Sequence, residues 1–263
     1  MEHKFTESFK YLNASKQLKE FSLEIKLCEK SSDKKSMLQK KWNKIWTMSH
    51  TYDPAVLFLM TDYLIKNGVD VRAPVQNGRE ALRFLPEMYG RAGESFKRID
   101  HYFGKILKRM CDAGADINAS INDRGNILFD LGYAVVGEKS VEKALQLGAN
   151  PNSRGWQNET PMFRMSGPKK LELLLKAGAD INAVKYGGQS ALMMHIVTSY
   201  IQKGESIKFF IDNGANVEST DHRGRNVLSY AQEYCNPQEL KIIEKAIQAK
   251  KQKIILPESD RTY

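Results

Sequence analysis

The sequence predicts an all-α solenoid of about six helix pairs with β-turn fingers and an extra N-terminal helical cap. Three observations carry that prediction. First, a short phrase recurs five times: Asn67-Gly68-Val69-Asp70, Ala113-Gly114-Ala115-Asp116, Leu147-Gly148-Ala149-Asn150, Ala177-Gly178-Ala179-Asp180 and Asn213-Gly214-Ala215-Asn216. Its glycines lie 46, 34, 30 and 36 residues apart, close to a period of about 33 in three of the four intervals. Second, a large apolar residue follows each glycine by fourteen positions, as Leu82, Leu128, Met162, Leu192 and Leu228. Third, Gly78, Gly125, Gly188 and Gly224 recur between these marks, and Asn158 fills the remaining copy. Glycine and asparagine are the residues that tolerate a left-handed turn.

Taken in chain order, residues 2–30 read as a helical extension with Phe5, Phe9, Leu12, Leu18, Phe21, Ile25 and Cys28 on its apolar side. The paired helices fall near 36–48 with 54–67, 80–89 with 98–113, 126–136 with 138–147, 160–166 with 169–177, 190–202 with 205–213, and 226–235 with 238–250. Asp53-Pro54 and Asn236-Pro237 each combine a capping side chain with a first-turn proline, and Thr160-Pro161 opens a helix in the same way. Each repeat glycine follows an apolar helical run, such as Leu171 to Lys176, where glycine ends a helix without a Cβ clash. The long first interval places an insertion at Pro86 to Lys97, whose Tyr89-Gly90-Arg91-Ala92-Gly93 reads as a flexible element. One unit cannot bury both helix faces, so neighbours must stack. The domain reading is an N-terminal helical cap with the first helix at 1–50, a repeat domain at 51–251 and a flexible tail at 252–263.

The repeat resembles the ankyrin repeat. Gly178-Ala179-Asp180-Ile181-Asn182-Ala183 and Gly114-Ala115-Asp116-Ile117-Asn118-Ala119 match its G-A-D-[VI]-N-A phrase, and Thr160-Pro161-Met162-Phe163 matches its T-P-L-H phrase. The similarity spans about residues 54–250. The histidine of that second phrase is replaced by Arg83, Phe129, Phe163, Met193 and Ser229, which removes the family's histidine network. The family implies a non-enzymatic module that binds a protein partner through fingers and inner helices. The Lys-, Asn- and Ile-rich style also resembles the ankyrin-repeat effectors that intracellular bacteria inject into host cells (the Legionella type). That likeness implies host cytoplasm as the site of action and a secretion signal in the C-terminal tail. An intracellular inhibitor or immunity-type binder is the alternative, and a nucleic-acid binder using basic ends is a third.

Charge and composition narrow these classes. The formal net charge is +9, with 41% hydrophobic and 27% charged residues. Residues 1–50 hold 11 Lys and 6 acids, and residues 241–263 hold 6 basic and 3 acidic groups. A basic excess on the flanks, with a near-neutral middle, disfavours nucleic acid as the main partner. No apolar run is long enough for a membrane helix, and no apolar core follows the first residues as in a signal peptide. Cys28, Cys111 and Cys235 build no disulfide framework and suit a reducing, cytoplasmic setting. A monomer is expected.

No constellation supports an enzyme, a metal site or a cofactor. HExxH, C-x-x-C and G-x-S-x-G are absent. Gly132 to Ser140 nearly spells a phosphate-binding loop, but Glu138 separates Gly137 from Lys139 and the context is helix–turn–helix. His195 reads as a core histidine. The basic amphipathic end, Lys241 to Lys253 with Ile242, Ile243 and Ile247, reads as the closing cap of the stack.

The sharper expectation concerns the finger tips. Eight residues after each repeat glycine come Gln76, Asn122, Trp156, Tyr186 and His222. The last three carry rings, and stacked units about 8–10 Å apart align them in a row. Trp and Tyr bury large areas at small entropic cost, which suits a binding hot spot. Arg154, Gln189, Arg223 and Arg225 flank the rings and offer directed hydrogen bonds.

Overall fold

A computed structural model describes residues 2–77, 79–90, 96–120, 123–133, 137–198 and 203–255. The chain divides into two compact units, one of residues 1–122 with 126–149 and the other of 123–125 with 150–263.

The first unit contains α1 (Glu2–Glu29), α2 (Lys34–Thr47), α3 (Pro54–Lys66), a hairpin of β1 (Pro74–Gln76) and β2 (Arg79–Glu80), a 3-10 helix (Ala81–Gly90), α4 (Phe96–Asp112), α5 (Ile127–Tyr133) and α6 (Glu138–Gln146). α3 packs on α2 and α4, and α4 in turn packs on the 3-10 helix and α6. The core runs through Leu38, Trp42, Ile45, Trp46, Leu57, Leu64, Leu82, Phe103 and Leu128, each at most 1% exposed. The second unit contains α7 (Pro168–Lys176), α8 (Ala191–Val197), α9 (Lys203–Asp212), α10 (Val227–Tyr234) and α11 (Pro237–Ile255). α9 contacts α7, α8 and α11, while α10 lies between α8 and α11. Met162, Leu174, Leu192, Ile207, Phe210, Val227 and Ile243 form its core.

The recurring phrase folds identically five times. Gly68, Gly114, Gly148, Gly178 and Gly214 all have φ between +79° and +97°. The next residue's amide reaches back five positions, as Val69→Leu64, Ala115→Met110, Ala149→Ala144, Ala179→Leu174 and Ala215→Phe210, at 2.9–3.3 Å. That is the Schellman stop, which satisfies carbonyls a helix end would otherwise strand. The acid or amide two residues after each glycine then accepts from the amide two further on, in Asp70, Asp116, Asn150, Asp180 and Asn216, at 2.8–3.1 Å. An Asx turn thus follows every helix stop. Asn158 has φ +62°, standing where its equivalents Gly125, Gly188 and Gly224 have φ +71° to +79°.

The caps follow their local chemistry in two cases of three. Asp53 Oδ1 accepts from Ala55 and Val56, at 2.9 and 3.4 Å. Asn236 Oδ1 accepts from Gln238 and Glu239 while Glu239 reaches back to the Asn236 amide at 3.1 Å, a reciprocal capping box. Thr160 departs from expectation: its side chain caps nothing. The helix there is only the 3-10 turn Pro161–Phe163, and the Phe163 amide bonds the Thr160 main-chain oxygen instead.

The insertion also departs in its first part. Pro86 and Tyr89 are buried and Met88 is 1% exposed, within the 3-10 helix. Tyr89 hydroxyl donates to Asp100 and also meets Ser140 Oγ, which donates to Asp100 Oδ1 at 2.7 Å. Buried polar groups need such partners, so Pro86, Met88 and Tyr89 are core, while Glu87 keeps solvent access and pairs with Arg79 at 3.2 Å; the segment is not a flexible projection. Residues 91–95 lie outside the described residues. So do the tail residues 256–263 and three residues of the near phosphate loop, 134–136; Ser140 of that loop is fully buried on Asp100.

Candidate functional site

The finger tips of the second unit are built on left-handed turns that leave their ring side chains outside. Trp156 opens the 3-10 turn Trp156–Asn158, in which Gln157 and Asn158 both have positive φ. Its side chain is 63% exposed, and Tyr186 is 72% exposed. His222 is exposed as well. Val184↔Ser190 and Thr220↔Asn226 are isolated bridges that pinch the bases of the last two fingers.

Neighbouring tips are tied by their backbones. The Tyr186 amide donates to Gln157 oxygen at 2.8 Å, and the His222 amide donates to Gly187 oxygen at 2.9 Å. Each ring residue therefore reaches the residue that follows the preceding ring. The three rings share one register and project from one bonded edge.

The flanking polar residues divide into two groups. Arg223 is exposed beside His222. Arg154 is also exposed, yet its Nη1 donates to Asn158 oxygen at 3.0 Å and Val184 oxygen at 3.3 Å, so it braces two tips. Gln189 and Arg225 turn inward. Gln189 Nε2 donates to Tyr230 hydroxyl at 2.8 Å, and Arg225 Nη2 donates to the same oxygen at 2.6 Å. Tyr230 in turn donates to Asp221 Oδ2 at 2.8 Å. Arg225 Nε pairs with Asp221 Oδ2 at 3.0 Å and its guanidinium lies 4.4 Å from the Tyr230 ring centre. Burial pushes the Asp221 carboxyl up, but the amides of Arg225 and Arg223, the Tyr230 hydroxyl and the Arg225 guanidinium outweigh it and bring it to about 2. This network fixes the base of the last finger; its members are not free to turn toward a ligand without breaking it.

In the first unit Gln76 is exposed on β1. Asn122 lies outside the described residues.

The stitching asparagines were not singled out from the sequence. Asn118 and Asn152 donate to Gly148 and Gly178 oxygens at 2.9 and 2.7 Å. Asn152 and Asn182 accept from the Asp180 and Asn216 amides at 2.8 Å each. Their signal was the fixed position four residues after the repeat glycine, where a short amide side chain both donates and accepts.

Four of the five positions of the missing histidine are filled by core groups; the fifth, Ser229, is half-buried and its hydroxyl donates to Asn226 Oδ1 at 3.0 Å. Phe129, Phe163 and Met193 are at most 3% exposed. Arg83, 3% exposed, holds Asp130 with Nε–Oδ2 at 2.9 Å and Nη2–Oδ1 at 3.3 Å. His195, 1% exposed, bonds Met162 oxygen through Nε2 at 3.0 Å and lies 4.8 Å from the Phe210 ring. Burial lowers its pKa to about 4, against a small upward pull from the Met162 carbonyl. Among the described residues no group of three His, Cys, Asp or Glu could hold a metal, and no helix is long and apolar enough to cross a membrane.

No protein-family model matches the chain. It is 31% identical over 102 residues to an ankyrin repeat protein of Acanthamoeba polyphaga mimivirus, covering 36% of this chain and 61% of that one. The chain thus spans about three fifths of the length of that relative. A crystal structure of an ankyrin repeat domain from Acinetobacter baumannii AYE superposes with a TM-score of 0.61, at 17% identity, covering 78% of this chain and 97% of that one.

Proposed function

The chain has the ankyrin-repeat fold, and on that premise we propose that it is a non-enzymatic module that seats a protein partner on its ring-bearing finger tips. The observation that carries this reading is the pair Trp156 and Tyr186, 63% and 72% exposed on successive tips whose backbones are hydrogen bonded. Large aromatic side chains held in water by a rigid edge bury much area on binding and lose little freedom. His222 and Arg223 extend that surface. Arg154 holds its shape, and Gln189 and Arg225 hold the finger beneath it.

The finer reading is a translocated effector acting on a host protein, supported by the compositional likeness alone. The expected tail begins inside α11, which runs to Ile255; removing residues 252–263 from a reporter fusion trims that helix end, stops translocation and leaves the cooperative unfolding of the repeat domain intact.

The test of the binding surface is a pull-down with the full chain, read by mass spectrometry, repeated with Trp156→Ala/Tyr186→Ala. The reading predicts at least a tenfold loss of affinity for the captured protein, about 1.4 kcal/mol or more. Equal capture by a folded double variant contradicts it.

A further inference from the structure

α1 presents two faces with different tasks. Phe21, Ile25 and Cys28 are buried, with the Phe21 and Tyr63 rings 6.0 Å apart. On the opposite side, Leu23 is 64% exposed and Leu27 60% exposed. Residues four apart share a helix face, so these two leucines form a short apolar ridge that the core does not use. Beside that ridge a cavity of about 270 Å³ opens between α1 and α2, with Leu27, Cys28 and Met37 in its lining.

The charge around it is one-sided. Lys40, Lys41 and Lys44 line the α2 side, against a single acid, Glu24. Lys41 and Lys44 both reach Glu24, the latter at 3.5 Å. On the other flank Lys19 and Lys26 are exposed on the leucine side of α1 and Lys30 follows the helix end, while one exposed acid on that side, Glu20, is paired with Lys16 at 4.0 Å. An apolar strip thus runs between two flanks on which lysines outnumber the acids Glu20 and Glu24.

We propose that this α1–α2 groove is a docking site for an acidic peptide that inserts one large apolar side chain. The recess between two helices suits an anchor residue projecting from a peptide, as in helix-in-groove recognition. A flat bilayer surface reaches such a recess poorly. The lysines select carboxylates on both sides of the anchor, and the anchor's burial against Leu27 and Met37 supplies the apolar part of the affinity. The site is separate from the finger tips and stands whether or not they bind.

The experiment selects a random-peptide phage library on the full chain. Enriched peptides are expected to be strongly acidic with one large apolar residue. Their synthetic forms should bind about tenfold or more weakly to Leu27→Glu and to Lys40→Glu/Lys44→Glu, with Trp156→Ala/Tyr186→Ala unchanged. Circular dichroism checks each variant, and Leu27 is exposed enough for Glu to be accommodated. Affinity should also fall with salt. Enriched peptides without acidic bias, or indifferent to Leu27→Glu, overturn the proposal. So does binding of phosphatidylserine vesicles with no peptide selected, or a Leu27-dependent dimer of the chain that excludes peptide.

Discussion

The amide of His222 donates to the carbonyl of Gly187 across 2.9 Å, repeating the bond that Tyr186 makes to Gln157 at 2.8 Å. The close approach leaves no space at the adjacent glycine. A Cβ on Gly188 would stand 2.7 Å from His222 Cδ2 and 3.1–3.2 Å from the backbone of His222 and Asp221, whereas one on Gly187 meets nothing within 4 Å. Both have positive φ, so alanine at either site incurs about 1–2 kcal/mol of left-handed strain. Gly188→Ala adds the clash and shifts His222. Urea unfolding should show Gly188→Ala less stable than Gly187→Ala by roughly 1 kcal/mol or more. Equal losses would mean the tips are not held in contact.

His195 makes stability depend on pH. Its folded pKa is about 4, and the unfolded value is near 6.5. Between those values the unfolded chain binds more protons, so stability rises with pH. The contribution is complete above about 6.5 and is lost as pH falls through about 4. A shift of this size is worth on the order of 3 kcal/mol. His195→Gln keeps a donor for the Met162 carbonyl and removes the titration. Urea midpoints measured from pH 7.5 to 4 should therefore fall less steeply for that variant. Parallel curves would place His195 in water.

Arg83 and Asp130 should behave as a coupled pair. Removing either partner of a buried ion pair leaves the other uncompensated. Asp130 keeps some solvent access, at 25% side-chain exposure, so Arg83→Ala should cost about 2–3 kcal/mol, below the range for a fully buried pair. Arg83→Ala/Asp130→Ala should cost less than the sum of the two single changes. Additive losses in a double-mutant cycle would show no coupling.

The repeat period was legible because its marks depend on local backbone geometry. At the recurring turn position the left-handed residue announces itself as Gly, or as Asn158 in the one copy without Gly; Gln157, with φ +56°, carries no such mark. The apolar positions were equally local: Leu64, Met110, Ala144, Leu174 and Phe210, four before each glycine, are all fully buried. Tyr89 was not legible. Its neighbours Gly90 and Gly93 suggested a loose loop, while its burial depends on Asp100 and Ser140, eleven and 51 residues away. Gln189 and Arg225 were read as surface groups for the same reason, since Tyr230 and Asp221 are brought to them only by the folded finger. The exposure of Trp156 and Tyr186 was anticipated from register alone, because tip residues have no neighbour above them.

Partner contact at the tips has a direct optical readout. The chain has three tryptophans; Trp42 and Trp46 are 0% exposed and Trp156 is 63% exposed. Iodide quenching therefore reports on Trp156. Saturating the chain with its captured protein partner should abolish the quenchable fraction and shift that emission to the blue. Undiminished quenching at saturation, using a partner without tryptophan, would contradict binding at the finger tips.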